Sequence, residues 1–223
     1  MTTICTTKMN CPVCGARSEH RGIMSTNEIG PSDLDTRPPE MKRSTKFAWI
    51  RHCPKCGYCT SNSRAARSKA REIVSGKEYQ DQLKDPAYPA LAISFLCRAI
   101  LERESGGYRA ATWAFMCAAW VCDDAGLSEQ AVACRRKAAD MLKAAEARGE
   151  QHAAGAQGGA DAAILVDLLR RSGRPDEARQ VIAERRSGIS EDIVQRVLDF
   201  QSVLLDRNDA AGHTVAEALG EEA

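Results

Sequence analysis

The chain has 223 residues and a formal net charge of +1, and this length allows one substantial apolar core or two modest ones. Of its 10 cysteines, four lie in two copies of one motif and four lie inside helical patterns, which argues against a secreted disulfide scaffold and indicates a reducing cytoplasm. No apolar run reaches the roughly 18 residues of a membrane span and no signal-like segment opens the chain, so we expect a cytoplasmic protein without a membrane partner.

The first predicted elements are strands. Residues 2–9 and 44–52 are rich in β-branched or alternating apolar side chains, and each stretch leads into a cysteine pair. A third short strand is predicted over residues 17–24. The prolines and aspartates of residues 27–41 interrupt both sheet and helix, so we expect an ordered loop or a partner-facing arm there. Its polar cluster of Asp33, Asp35 and Arg37 is typical of an Asx turn with an Arg–Asp pair, and a recognition loop is the alternative.

Two copies of a pentapeptide, CPVCG at residues 11–15 and CPKCG at residues 53–57, are the most specific motif in the chain. A pair of thiolates on one tight turn supplies two ligands of a tetrahedral zinc ion, and two such turns complete a four-cysteine site. Proline favours the turn, and glycine accepts the backbone angles that direct amide groups at sulfur. The predicted metal ligands are Cys11, Cys14, Cys53 and Cys56.

Other metal chemistries remain open at this point. Rubredoxins hold iron between similar turns, so a rubredoxin-like iron electron carrier is an alternative to structural zinc. Cys5 and Cys59 are interpreted as spare thiols, and His20 and His52 as bystanders. Four thiolates close the metal to water and make it a poor Lewis acid, and the common catalytic motifs are missing, so we expect a structural Zn²⁺ in a protein that is not an enzyme.

Residues 42–71 carry nine basic side chains and no acidic one. Such a run can neutralise phosphates, so a nucleic-acid-binding module is the second functional hypothesis. The alternative is that these cations face water or the acidic helical part, since few aromatic residues accompany them. The cations concerned are Lys42, Arg43, Lys46, Arg51, Lys55, Arg64, Arg67, Lys69 and Arg71.

Helices are predicted for the rest of the chain. We place them over residues 61–75, 77–84, 89–103, from 108 to Gly126, from 128, over 161–172, from Pro175 and over 190–206, with Ser61-Asn62-Ser63 and Ser128 as N-caps. Gly76, Gly106-Gly107 and Gly173 mark turns, residues 149–159 form a flexible break, and the tail from residue 208 is predicted as a frayed last helix.

Small and apolar residues recur at matching offsets around Gly126 and Gly173. This pattern resembles the tetratricopeptide repeat, although the two copies lie 47 residues apart where the repeat period is about 34, and a generic helical bundle is the alternative. The predicted fold class is α+β, mostly α. We expect a zinc-ribbon-like β head at residues 1–60, a helical connector at 61–86 and an antiparallel, tetratricopeptide-like helical domain at 87–223.

The first cysteine motif, the SDLDTRP stretch at residues 32–38 and CPKCGY at residues 53–58 together resemble an uncharacterised bacterial family, domain of unknown function 2225. The resemblance covers about the first 60 residues with specific motifs. It implies a zinc-binding head, with the four cysteines as ligands, and a tetratricopeptide-like body, and it implies no reaction. The first functional hypothesis is therefore a non-enzymatic zinc-binding protein whose helical domain binds an unidentified protein partner.

Overall fold

The computed structural model describes residues 1–61, 69–150 and 158–221. A small N-terminal head of antiparallel strands is followed by a helical domain, which confirms the predicted α+β, mostly α, fold class. Among the described residues, no helix combines the length and the apolar character that crossing a bilayer requires.

Three antiparallel strand pairs build the head. β1 (Thr3–Asn10) pairs with β2 (Arg17–Ser25) in a long hairpin, which confirms the strands predicted at residues 2–9 and 17–24. The pairs β3 (Glu28–Ile29) with β4 (Glu40–Met41) and β5 (Arg51–His52) with β6 (Cys59–Thr60) are only two residues long. Each cysteine motif lies between the strands of one pair, the first between β1 and β2 and the second between β5 and β6.

The strand predicted over residues 44–52 is wrong for most of its length. A 3₁₀ helix spans Lys42–Ala48, and only Arg51 and His52 are extended. The indole Nε1 of Trp49 donates to the hydroxyl of Thr45 at 3.0 Å, a contact between residues four apart that a strand would prevent. Trp49 also stacks on Trp113 and meets the edge of Trp120, so aromatic packing decides this segment.

Nine helices lie in the described residues. They are α1 (Ala70–Ser75), α2 (Lys77–Leu83), α3 (Ala90–Glu104), α4 (Tyr108–Asp124), α5 (Ser128–Ala147), α6 (Gly158–Arg171), α7 (Pro175–Arg185), α8 (Asp192–Asp206) and α9 (Val215–Leu219). The predicted helices are confirmed apart from their exact ends. Residues 62–68 of the first predicted helix, with residues 62 and 63 of its proposed cap, lie outside the described residues. Most of the predicted break, residues 151–157, also lies outside them.

Glycine ends five of these helices by the same hydrogen-bond pattern. At Gly126 the chain turns with φ +70°, the glycine amide donates to Asp123 and the Leu127 amide donates to Cys122 at 2.9 Å. Equivalent bonds surround Gly106, Gly149, Gly173 and Gly220. This pattern satisfies helix carbonyls that would otherwise lack donors, and only glycine adopts its left-handed angle without strain.

Two predictions about helix ends are wrong. The N-cap of α5 is Leu127, which the glycine turn already fixes, so Ser128 is the first helical residue and its side chain makes no capping bond. The tail is ordered rather than frayed, because the capping box of Thr214 and Glu217 starts α9. The amide of Leu34 donates to the carbonyl of His213 at 2.8 Å, so the tail is bound to the head.

The apolar core lies along α4, which is buried over most of its surface. Alanine and cysteine predominate on this helix, and these small side chains allow α3 and α5 to pack closely against it. α5 then contacts α6, and α6 contacts both α7 and α8. Because short turns join α4 to α5 and α6 to α7, each pair is antiparallel. The tetratricopeptide assignment and the predicted domain boundaries stay predictions.

Candidate metal centre

The two cysteine motifs fold into the same turn. In the first knuckle, residues 11–16, the amide of Cys11 donates to Ala16 at 2.8 Å and the amide of Gly15 donates to Cys11 at 2.8 Å. In the second knuckle, residues 53–58, the equivalent bonds are both 2.9 Å long. Gly15 and Gly57 take φ values of +73° and +78°, the left-handed angle that the motif's glycine was expected to supply.

The four predicted ligands come together at one point. The Sγ atoms of Cys11, Cys14, Cys53 and Cys56 all lie within 4.8 Å of one another. Between the knuckles, Cys11 Sγ lies 3.7 Å from Cys56 Sγ, and Cys14 Sγ lies 3.6 Å from Cys53 Sγ. A metal bound to four sulfurs at about 2.3 Å in a tetrahedron requires sulfur separations of about 3.8 Å, so the donor set can hold a metal ion.

Protection from solvent differs between the ligands. Cys11 and Cys53 are buried, whereas Cys14 and Cys56 are partly exposed. The backbone amide of Ala16 lowers the pKa of Cys14 to about 7, whereas burial raises the pKa of Cys11 and of Cys56. A metal ion binds these sulfurs as thiolates, so its binding releases their protons, and the charge of the cation offsets the repulsion between the thiolates.

The residues predicted to be spare lie outside this cluster. Cys59 is fully buried and its thiol donates to the carbonyl of Gly57 at 3.2 Å. His20 Nε2 lies 2.8 Å from the hydroxyl of Ser18, and His52 is exposed on β5. Among the described residues, the four knuckle cysteines are the group of ligand atoms close enough to share an ion, and neither Cys5, Cys59 nor either of these histidines belongs to it.

Two side chains outside the head donate hydrogen bonds to the knuckles, and neither belongs to a recognisable sequence motif. Arg71 of α1 donates from Nη2 to the carbonyl of Val13 at 2.7 Å, inside the first knuckle. The hydroxyl of Tyr79 on α2 donates to the carbonyl of Gly57 at 2.9 Å, in the second. Neither contact has a signal in the local sequence, because each joins residues more than 20 positions apart.

The loop of residues 32–39 turns inward rather than toward solvent. Asp35 is only 1% exposed, and its Oδ2 accepts from Trp120 Nε1 at 2.8 Å and from Arg171 Nη1 at 3.1 Å. Arg135 lies 3.8 Å from the same oxygen. The predicted Asx turn is present, since the amide of Arg37 donates to Asp35 Oδ1 at 3.2 Å.

The Arg–Asp pairs of this loop extend beyond it. Arg37 is buried and pairs with Asp124 at the end of α4, and Asp33 accepts from Arg43 at 2.8 Å. Burial raises the pKa of Asp33, whereas in Asp123 the neighbouring arginines outweigh burial and lower the pKa. Asp35 and Arg37 therefore connect the head to the helical domain through buried charges.

The basic run is partly neutralised within the molecule. Lys42 pairs with Glu28 at 2.6 Å, Arg43 pairs with Asp33, and Lys46 is buried with its ammonium 2.8 Å from Asp124. Of the remaining cations, Lys55 and Lys69 are exposed, Arg51 is partly buried, and Arg64 and Arg67 lie outside the described residues. Nucleic-acid binding stays a prediction.

Comparisons with protein-family models, with curated proteins and with solved structures found no match for this chain. The resemblance to domain of unknown function 2225 stays a prediction that rests on the motifs of the head.

Proposed function

We propose that this chain is a non-enzymatic zinc protein, in which a four-cysteine site orders the head and the helical domain serves as a scaffold for a protein partner. The observation that carries the proposal is the cluster of four Sγ atoms, whose separations of 3.6 and 3.7 Å between the knuckles fit one tetrahedral ion. Cys11, Cys14, Cys53 and Cys56 would hold the ion, which would cross-link the two knuckles.

The donor set supports a structural role for the metal. Four cysteine sulfurs fill a tetrahedral shell, which leaves no position for a water or a substrate. Thiolates also transfer charge to the metal and weaken it as a Lewis acid. Because Cys11 and Cys53 are buried, one ligand of each knuckle would hold the metal away from solvent, as is expected of a structural site.

A cleft in the helical domain supports the scaffold role. It has a volume of about 660 Å³ and lies between α2, α3, α4 and α5. Its lining combines apolar side chains such as Phe115 and Met141 with charged side chains such as Asp85, Lys137 and Asp140. Apolar contact area surrounded by charges is the usual composition of a protein-binding surface.

Elemental analysis of the purified protein tests the metal assignment. We expect one equivalent of zinc and no visible absorbance, whereas one equivalent of iron in coloured protein would establish the rubredoxin-like alternative. Replacing Cys53 by serine should abolish stoichiometric metal, and Cys97→Ser is the matched control because Cys97 is equally buried but lies outside the cluster. Wild-type protein that binds neither metal would refute the proposal.

Capture of binding partners from the native host tests the scaffold role. Lys137→Glu reverses an exposed charge that lines the cleft, and Glu129→Lys reverses one on the same helix away from it. We expect the partner to be lost with the first variant and retained with the second. Equal recovery with both variants would mean that the cleft is not the docking surface.

A further inference from the structure

Tyr79 of α2 has its hydroxyl at the second knuckle although it is 22 residues away from it in sequence. The side chain is 1% exposed. Its hydroxyl accepts from the amide of Cys59 at 3.1 Å and donates to the carbonyl of Gly57 at 2.9 Å. The phenol therefore donates to and accepts from backbone groups that lie within three residues of the ligand Cys56.

The same short segment of chain also contacts the knuckles at two other places. Leu83 at the end of α2 packs against Gly57 so closely that a Cβ on this glycine would overlap its Cδ2 atom. Arg71 of α1 donates to the carbonyl of Val13 between the two ligands of the first knuckle. Residues 70–83 therefore hold both knuckles from outside the metal cluster.

We propose that Tyr79 is a positioning residue of the metal site and that α1 and α2 form a clamp whose packing depends on the bound metal. This inference rests on the proposed function, because it assigns a role to residues around the metal that the four cysteines would bind. The Tyr79 hydroxyl fixes the orientation of the Gly57–Tyr58 and Tyr58–Cys59 peptide groups, and so it restrains the turn that directs the Sγ of Cys56.

The metal and the clamp are coupled because both contact the same two knuckles. The metal fixes the distance between the two knuckles from inside, and the clamp contacts both of them from outside. An ion that keeps the knuckles together therefore lets Arg71 and Tyr79 make their hydrogen bonds to the two knuckles at the same time. Without the ion no ligand bonds cross-link the two knuckles, so they are free to separate, and α2 then loses part of its binding surface.

The side of α2 that faces away from the knuckle lines the cleft, so the coupling extends from the metal site to the cleft. Glu78, Asp81 and Gln82 line the cleft of the helical domain, while Tyr79 and Leu83 contact the second knuckle. One helix of seven residues thus separates the metal site from the cleft. Metal binding stabilises the wall of the cleft that α2 supplies.

Tyr79→Phe tests the positioning role, because it removes only the hydroxyl. Metal release from the zinc or cobalt form to a chromogenic chelator should become about 10-fold faster, the lower end of the range measured when outer hydrogen bonds of metal sites are removed. The cobalt–thiolate absorption bands should also shift. Tyr58→Phe is the matched control: Tyr58 is the last residue of the same knuckle and is fully buried, but its hydroxyl has no hydrogen-bond partner among the described residues, so the substitution leaves the backbone bond of the turn in place.

The outcomes separate the two hypotheses. Release from Tyr79→Phe at the wild-type rate, or equal acceleration in Tyr58→Phe, would overturn the positioning role while leaving the metal site intact. Wild-type protein that binds no metal would refute the proposed function, and the clamp with it. Circular dichroism of both variants shows whether a change in release reflects loss of the helices instead.

Amide hydrogen exchange of the wild-type protein tests the clamp without any substitution. We expect amides of α2 to exchange at least 10-fold faster after chelation, whereas amides of α8, which packs on α6, α7 and α9, keep their protection. Unchanged exchange in α2 would overturn the coupling even if Tyr79→Phe failed to fold.

Discussion

In the helical domain most of the largest fully buried side chains are apolar, with Trp120, Leu165 and Leu198 among them, and they come from several helices that pack together. In the head the buried side chains are few, and the fully buried ones include Cys53 and Cys59. Burial of apolar surface can account for the folding of the first region, at about 25 cal/mol for each Å² removed from water. In the head, the cysteine cluster and the contacts with the helical domain replace part of that contribution.

This difference teaches where each region is sensitive. In a region with a large apolar core many residues share the stabilisation, so the loss of one exposed polar contact changes it little. A region organised by one cluster and a few buried charges depends on each of them. The following predictions test whether the head and the helical domain differ in this sensitivity.

Metal removal should have the largest effect. Four-cysteine and related sites in zinc-finger peptides contribute about 10–16 kcal/mol of apparent folding free energy, more than a small apolar core supplies. A strong chelator should therefore abolish the native environment of Trp49, visible as a change in tryptophan fluorescence, while the far-ultraviolet signal of the helices remains. A head that keeps its fluorescence, or helices that unfold with it, would contradict the contrast between the two regions.

Asp35→Asn should have the next largest effect. The carboxylate lies between Arg135 and Arg171, which also pair with Asp123, so its replacement by an amide removes buried charge-assisted hydrogen bonds at a cost of about 3 kcal/mol. The matched control is Asp33→Asn, because Asp33 is less buried and burial already raises its pKa. We expect the control to cost about 1 kcal/mol or less in urea unfolding. Similar losses in the two variants would show that the buried charges do not connect the regions.

The glycines of the two knuckles offer a third comparison. Gly15 and Gly57 share a left-handed backbone, so alanine at either position costs about 1–2 kcal/mol. At Gly15 no atom lies within 4 Å of the added Cβ, whereas at Gly57 it overlaps Leu83. Gly57→Ala should therefore lose about 1–3 kcal/mol more than Gly15→Ala in thermal unfolding of the zinc form. Leu83→Ala combined with Gly57→Ala should recover part of the difference, and no recovery would refute the steric explanation.

The cysteine cluster and most of the helices could be predicted from the sequence because their signals are local. The spacing inside each knuckle sets two ligands on one turn, and glycines such as Gly126 and Gly173 end helices through bonds to residues only a few positions away. The first strand of the β1–β2 hairpin likewise follows from the β-branched residues that precede the first knuckle.

What could not be predicted depends on residues far apart in the chain. Trp49 turns its segment into a 3₁₀ helix by packing on Trp113 and Trp120, more than 60 residues later. Arg171 reaches Asp35 across 136 positions. The alternation over residues 44–52 and the polar character of the loop were compatible with solvent exposure, and only tertiary packing assigns them to the interior.

Helix caps show the same difference between local sequence signals and the surrounding fold, and here the expected changes in unfolding free energy are the smallest. Ser128 has the residue type of an N-cap, but the turn after Gly126 makes Leu127 the cap, whereas Thr214 accepts from the amide of Glu217 at 3.2 Å in a complete capping box. Thr214→Ala should therefore cost about 1 kcal/mol and Ser128→Ala close to nothing in urea unfolding. Because the amide of Val215 donates to the carbonyl of Ser32 at 2.9 Å, the Thr214 variant should also speed amide exchange in α9 and at that contact with the head. A larger loss from Ser128→Ala would mean that residue type, rather than the fold around it, decides where these helices are capped.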